Sequence, residues 1–428
     1  MRADKWLEVN LVGLVILVGL AFVAAKLLNT DAQLAAVQSS AAATAARLER
    51  IEQALPDAST AQQLQFQDWL GERSGNHERL YALRGNDAIE EASYVPIGGI
   101  DQWITIRGEH RDNPVLLFLH GGPGDATNPW SYPYFAAWEK AFTVVQWDQR
   151  GAGRTLERNG APPAGTLTIG QLVRDGLELS EYLRTHLRQD RIILVGHGWG
   201  AVLGVLMVKA RPELFAAFVG TGQIVDPVAD ERAAYQAVLA TAQAAGDSQA
   251  LTHLRAIGVP PYAPGSPAGQ LFDRWLQRCE GSAADAFLTG RIGLALTAPG
   301  YTLQDVDAWI GGRTLSAQDL QKQIRELAPR RLAGPLALPV FVFQGARDCS
   351  SPASSAMDYV ELLQAPMKAF VAIPDAGHFA VFTHSDQFLR LLVQRVRPLA
   401  VARPGRSGAP APGGRTRGPG SGHSTAGV

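Results

Sequence analysis

Cysteine is scarce. Cys279 and Cys349 are the only two in 428 residues, too few for a disulfide scaffold and short of the four spaced ligands of a structural zinc site. They leave the redox compartment open. Charge is thin as well: 18% of residues are Asp, Glu, Lys or Arg, against a usual share of ~25%. Neither sign dominates, with 39 basic and 40 acidic residues and a net charge of −1. Such a balance gives no electrostatic pull toward nucleic acid, and no nucleic-acid partner is expected. Neither a phosphate loop nor paired metal-ligand spacing occurs, so no cofactor and no metal are expected. Glycine (44) and proline (26) are only modestly raised, which excludes a collagen-like or wholly disordered chain. What remains, 46% hydrophobic, is mostly packed globular protein with room for two or three domains.

Long apolar runs are also few, and the one that matters is at the start. Arg2 and Lys5 precede Leu11 to Ala25, a stretch without a charge, extended by Trp6, Leu7, Leu27 and Leu28. Since ~20 apolar residues cross a bilayer, residues 1–30 read as an uncleaved signal-anchor or transmembrane helix. The basic residues keep the amino end in the cytoplasm. The expectation is a single pass through the inner (cytoplasmic) membrane with the main domain outside the cytoplasm. The alternative is secretion after cleavage at Val23-Ala24-Ala25. Residues 31–92 read as a helical stalk and linker, because Leu34, Val37, Ala41, Thr44, Leu48, Ile51 and Leu55 recur at alternating spacings of three and four before Pro56. That is an a/d seam, which favours a homo-oligomer; the plainer alternative is a surface helix packed on the domain.

From 93 the pattern alternates between strands and helices. Tyr94–Ile97 and Trp103–Arg107 read as an opening strand pair. Val115–Leu119, Phe142–Val145, Ile192–Val195, Phe215–Val219, Val340–Phe343 and Ala369–Ile373 are apolar runs of buried-strand type. Thr168 is placed to cap a helix with Leu172, Val173, Leu179 and Leu183 on its inner face. Residues 226–336 lack such runs and read as helical. The expected fold is therefore α/β: a mostly parallel, doubly wound sheet (93–225 and 337–402) interrupted by a helical cap (226–336). The tail 403–428, rich in Gly, Pro, Ser and Arg without an acidic residue, reads as disordered.

The chemistry lies in loops at strand ends. His120-Gly121-Gly122-Pro123-Gly124 follows one strand, and glycines in such a turn let backbone N–H groups approach a developing oxyanion. Gly196-His197-Gly198-Trp199-Gly200 follows another and has the frame of a nucleophile elbow, Gly-x-Ser-x-Gly. The central position holds Gly198, which has no side chain to attack with. Asp348, in Gln344-Gly345-Ala346-Arg347-Asp348, and His378, in Asp375-Ala376-Gly377-His378, follow two later strands. Elbow, acid and histidine in this order, all at the carboxyl edge of a sheet, match the order of an α/β-hydrolase triad.

Together with Trp147-Asp148-Gln149-Arg150-Gly151-Ala152-Gly153-Arg154, these motifs make the stretch from about Tyr94 to Leu399 resemble the proline-iminopeptidase-like α/β hydrolases, peptidase family S33. The resemblance implies an α/β-hydrolase fold with a helical cap, and acyl-bond hydrolysis of the aminopeptidase or esterase kind through an acyl-enzyme. By position it makes His378 the general base and Asp348 its orienting acid, with Gly198 at the nucleophile position. It forms the oxyanion hole from the N–H groups of Trp199 and Gly122, with Gly121 the lesser candidate. Asp148 and Arg150 are expected to tie a neighbouring loop together. The family holds a substrate's amino group with cap glutamates, and none maps onto Gly220–Val225 or the Asp226, Asp230 and Glu231 that follow. Asp230, Glu231, Trp275 and Trp309 are the substrate-binding candidates. The wider cap set Tyr262, Phe272, Tyr301, Arg278, Glu280 and Arg291 is open between cap core and substrate contact.

Loss of a triad nucleophile costs on the order of 10⁶ in turnover, so the chain as written is expected to be inactive or strongly impaired. Ser350, Ser351 and Cys349 lie on a different loop, and His197 is one residue off, so no substitute nucleophile is expected. The partner is then a small molecule or short peptide, with three alternatives to a disabled hydrolase: a pseudoenzyme that binds an acyl or peptidyl ligand, nucleophile-free catalysis by His378 and Asp348, or a membrane-tethered scaffold.

Overall fold

Apolar runs bounded by turns become strands buried on both faces when helices cover a sheet on either side. In the computed structural model, which describes residues 60–263, 266–327, 332 and 334–401, this holds for β3 (Val115–Leu119), β4 (Thr143–Trp147), β5 (Ile192–His197), β6 (Phe215–Thr221) and β7 (Val340–Gly345), each buried at every position. Two strands precede them, β1 (Ile89–Ile97) and β2 (Ile100–Gly108), and β8 (Lys368–Ile373) ends the series. The sheet of eight runs β1-β2-β4-β3-β5-β6-β7-β8. β1, β2 and β4 pair antiparallel in turn, and every later pairing is parallel.

The first strand begins at Ile89, inside the stretch read from sequence as linker. Its first five residues, Ile89-Glu90-Glu91-Ala92-Ser93, are mostly polar because β1 is an edge strand with only one packed face. Neighbouring residues along each strand point to opposite faces. Leu117 therefore joins the core under α3 (Ile169–His186) and α4 (Trp199–Ala210), while Phe118 joins an aromatic core with Trp130, Phe135, Trp138 and Phe382. Thr168 caps α3, accepting from Gln171 N at 3.1 Å.

Among the helices flanking the sheet and forming the cap are, in chain order, α1 (Thr60–Leu80), α2 (Gly153–Asn159), α3 and α4, then α5 (Pro227–Ala244), α6 (Ser248–Ile257), α7 (Pro267–Cys279), α8 (Ser282–Leu296) and α9 (Leu303–Arg325), with α10 (Ala353–Leu362) between β7 and β8 and shorter helices after β8. The cap has a core of its own, in which Tyr235, Val238, Leu254, Tyr262, Phe272 and Trp275 pack together. α1 is docked on the domain rather than standing free as stalk. Ser74 Oγ donates to Ala298 O at 3.2 Å, His77 Nδ1 lies 3.0 Å from Thr297 O, and Tyr81 and Tyr132 meet edge to face. The apolar run Leu11–Ala25, the seam Leu34–Leu55 and the tail 403–428 lie outside the described residues. Among the described residues no helix is long and apolar enough to cross a membrane.

The two cysteines, too few for a scaffold, pair with each other. Cys279 at the end of α7 and Cys349 in the loop after β7 form a disulfide with Cα atoms 6.1 Å apart, joining the cap to the sheet. Seventy positions separate them in sequence, and no local pattern encodes such a pairing.

Candidate active site

The site forms where β5, β7 and β8 end. β5 runs into α4 through Gly196-His197-Gly198-Trp199-Gly200. The two outer glycines are there because the backbones touch: a Cβ on Gly196 would stand 2.3 Å from Gly200 O, and one on Gly200 would stand 2.1 Å from Leu119 O. Between them Gly198 takes φ 55°, ψ −116°, a conformation that a residue with a side chain adopts only under strain. A Cβ built there points at His378, 3.6 Å from Nε2, the nearest atom outside its chain neighbours. One bond further, a hydroxyl oxygen falls within hydrogen-bond range of that nitrogen.

On its other side the imidazole meets the acid. His378 Nδ1 lies 3.1 Å from Asp348 Oδ2 and 3.3 Å from Oδ1. Both carboxylate oxygens take further donors: Gln344 Nε2 to Oδ2 and Ser351 N to Oδ1, each at 2.6 Å. Gln344 is itself held, accepting from Gln223 N at 3.1 Å. Burial alone would lower the proton affinity of His378. The charge and hydrogen bond of Asp348, with Glu280 behind them, outweigh that and raise its pKa above the ordinary 6.5.

His197 behaves as a packing residue. Its ring lies 4.8 Å from that of His378, its Nε2 is 3.2 Å from His378 O, and burial holds it neutral with a pKa of about 3. The oxyanion-hole candidates lie on two sides of the vacant position. Trp199 opens α4, where a backbone N–H has no carbonyl four residues earlier to bond. Gly121 approaches from the loop after β3, its Cα 4.0 Å from the Cβ direction of Gly198, and Gly122 follows with φ 114°. Ser350 Oγ donates to Glu280, Ser351 serves Asp348 through its backbone, and Cys349 is in the disulfide. None of the three is offered to Nε2.

Asp148 and Arg150 hold the adjoining loop. Asp148 accepts from Asn128 Nδ2 at 2.7 Å and Arg154 N at 2.9 Å, and burial pushes its pKa up to about 7; Arg150 pairs with Asp175 at 2.8 Å.

Each of the four substrate-binding candidates has a partner within the fold. Asp230 Oδ2 accepts from Val225 N (2.8 Å) and Asp226 N (3.1 Å), closing the entry to α5. Glu231 pairs with Arg325 at 3.1 Å. Trp275 is buried in the cap core with Arg278 over its ring. Trp309 donates to Asp125 Oδ1 at 3.1 Å, and Asp125 also pairs with Arg291 at 2.7 Å, which ties the cap to the loop after β3. Sequence had a signal for the first: an Asp-Pro start followed by a second Asp four residues on is a helix-entry pattern.

Three supporting residues escaped the sequence reading: Gln344, Glu280 in a positioning place, and Gly222. Gly222 has φ 55°, and a Cβ there would sit 2.7 Å from His378 Cε1 and 3.0 Å from Nδ1. A methyl group must push the ring off Asp348. In Gly222→Ala the His378 titration midpoint is expected to fall, since the bond that raises it is lost; proton NMR of the imidazole against pH checks this. An unmoved midpoint means that the ring is not crowded there.

A family model described as the alpha/beta hydrolase fold matches residues 114–258. The chain is 27% identical over 309 residues to the Probable aminopeptidase YbaC of Bacillus subtilis, covering 71% of this chain and 95% of that protein. It is 37% identical over 122 residues to a Probable proline iminopeptidase of Streptomyces coelicolor, a match to 28% of this chain and only 35% of that protein. In three dimensions it is similar in fold to a proline iminopeptidase-related protein of Thermus thermophilus, with a TM-score of 0.53 at 22% identity over 73% of this chain and 99% of the other.

Proposed function

The chain is an α/β hydrolase of the proline-iminopeptidase-like kind, and from that premise we propose that its site is an acyl-hydrolase site with the attacking position vacated. It binds an acyl or short peptidyl ligand at the edge of the sheet, and hydrolyses esters or amides of that class once a hydroxyl is supplied at position 198. The observation that carries this is the Gly198 geometry. The backbone there takes a conformation that strains any residue with a side chain, and its Cβ direction points at Nε2 of a histidine already paired with Asp348.

Serine in that place would attack the acyl carbon as His378 Nε2 takes its proton, and the imidazolium would then return that proton to the leaving group. The Trp199 and Gly122 N–H groups are the proposed donors to the oxyanion. A fluorophosphonate, which is attacked by an activated serine and loses fluoride, tests the alignment. Intact-mass spectrometry should show one adduct on Gly198→Ser, none on the chain with Gly198, and none on Gly198→Ser with His378→Ala. No adduct on the serine variant sinks the reading.

One observation favours a second reading, water activation without a covalent intermediate. Outside the chain neighbours of Gly198, no atom lies nearer than 3.6 Å to its Cβ direction, which leaves room for a water that His378 deprotonates there. Ester turnover by the chain with Gly198, abolished in His378→Ala, is the result expected; no turnover on any ester or amide ends that reading. Cleavage of an amino-terminal proline is not part of either proposal, because Asp230 and Glu231 are engaged elsewhere.

A further inference from the structure

A cap carboxylate reaches the paired residues. Glu280 follows Cys279 at the carboxyl end of α7. Its Oε1 accepts from Cys349 N at 2.9 Å, Ser350 N at 3.0 Å and Ser350 Oγ at 3.0 Å, all in the loop that begins with Asp348. Its Oε2 accepts from His378 N at 2.6 Å. One side chain therefore joins the loop carrying the acid to the loop carrying the histidine. The fit is close, since a Cβ on the neighbouring Gly377 would stand 2.2 Å from Oε2. The residue before Glu280 is disulfide-bonded to the residue after Asp348, so the carboxylate cannot leave with the cap while that bond is intact.

We propose that Glu280 is a positioning residue for the His378–Asp348 pair, fixing the spacing of their two loops, and that the Cys279–Cys349 disulfide keeps it there from the cap. This rests on the hydrolase reading for its kinetic consequence but not for its structural one. Three titratable groups face the imidazole: Asp348 from the loop after β7, Glu280 from the cap, and His197, held neutral, from the elbow. Of the two carboxylates, Glu280 contacts only the His378 backbone, and its negative charge adds to that of Asp348 in holding a proton on the ring.

The test has an arm that needs no turnover. In the full chain with Gly198, the His378 midpoint is followed by proton NMR. Glu280→Gln should lower it, because the charge is gone and the amide turns an N–H toward a loop that also donates. Glu280→Asp keeps the charge but is one methylene too short to span both loops, so its midpoint should move less. In the Gly198→Ser background both variants should lose kcat, by about tenfold to 10²-fold for a displacement of the order of 1 Å, with KM little changed. Treatment with a dithiol, which closes to its own disulfide as the sulfurs of Cys279 and Cys349 each gain an electron and a proton, should move the midpoint and kcat in the same direction as Glu280→Gln.

Unchanged midpoint and kcat in Glu280→Gln overturn the positioning role. A raised KM with kcat and midpoint intact also overturns it, placing the carboxylate on the substrate instead. Reduction without effect overturns the part assigned to the disulfide. A serine variant with no turnover, beside a shifted midpoint in Glu280→Gln, counts against the proposed hydrolysis and leaves the positioning role standing.

Discussion

Gly198→Ser should raise turnover of an activated ester by about 10⁶ over the chain with glycine, the factor by which removing a triad nucleophile lowers it. The size of the gain follows from how little else needs to change. His378 is paired, Asp348 has donors on both oxygens, and the elbow already has the backbone that projects a side chain toward Nε2. The same backbone sets the cost. At φ 55°, ψ −116° a serine is strained where glycine is not, by about 1–3 kcal/mol, so the active variant should also be the less stable one in a denaturant titration. Its pH profile carries a further mark. The base must be neutral to accept the serine proton, and His378 holds its own proton above the ordinary 6.5. The acid limb of kcat/KM should then lie above that value and vanish with His378→Ala. A gain in turnover below about tenfold would show that the position is vacated in sequence but not in geometry.

Much of this arrangement is legible in the sequence of residues 93–402. Buried strands such as Val115–Leu119 and Ile192–Val195 announce themselves, since a covered parallel strand is mostly apolar on both faces. The elbow and the Asp348 loop follow directly on such runs, and His378 follows the apolar run of β8, which the structure shows as a half-exposed edge strand rather than a buried one, so the order elbow, acid, histidine could be placed at one edge of the sheet. The start of β1 is hidden for the opposite reason: an edge strand with one wet face reads as polar linker. The cap was the least legible part. In sequence Trp275 reads as a residue that could fill a core or line a pocket, and the structure packs it in one cluster with Phe272 and Tyr235. The partnership of Glu280 with residues 349, 350 and 378 depends on a cap helix folding back over the sheet, and separations of 69 to 98 positions leave no periodicity to read. Helix-entry acids such as Asp230 mimic substrate ligands, because both are carboxylates that seek N–H donors.

In the serine background Asp348→Asn should lower kcat by about 10⁴, as loss of the orienting acid does where the geometry is otherwise kept. The mechanism can be read from the donors around the carboxylate. Gln344 Nε2, Ser351 N and His378 Nδ1 converge on two oxygens. An amide offers one oxygen and an N–H₂ group, so it cannot accept from all three. The short bonds from Gln344 and Ser351 come from groups fixed in the buried loop and compete for the oxygen, which turns the amide N–H₂ toward Nδ1. His378 then places its proton on Nε2, the nitrogen that must accept from the introduced serine hydroxyl, and the base is lost although the ring stays in place. Two readouts separate this from simple loosening of the fold. KM should be nearly unchanged, and the His378 midpoint should fall, because burial, which lowers it, is no longer outweighed by Asp348. The remaining buried donor that finds no acceptor costs about 1–3 kcal/mol of stability, visible in the same denaturant titration. A loss of kcat below tenfold, with the midpoint unmoved, would mean that Asp348 only packs the loop and that the hydrogen bond it makes to His378 does not set the tautomer.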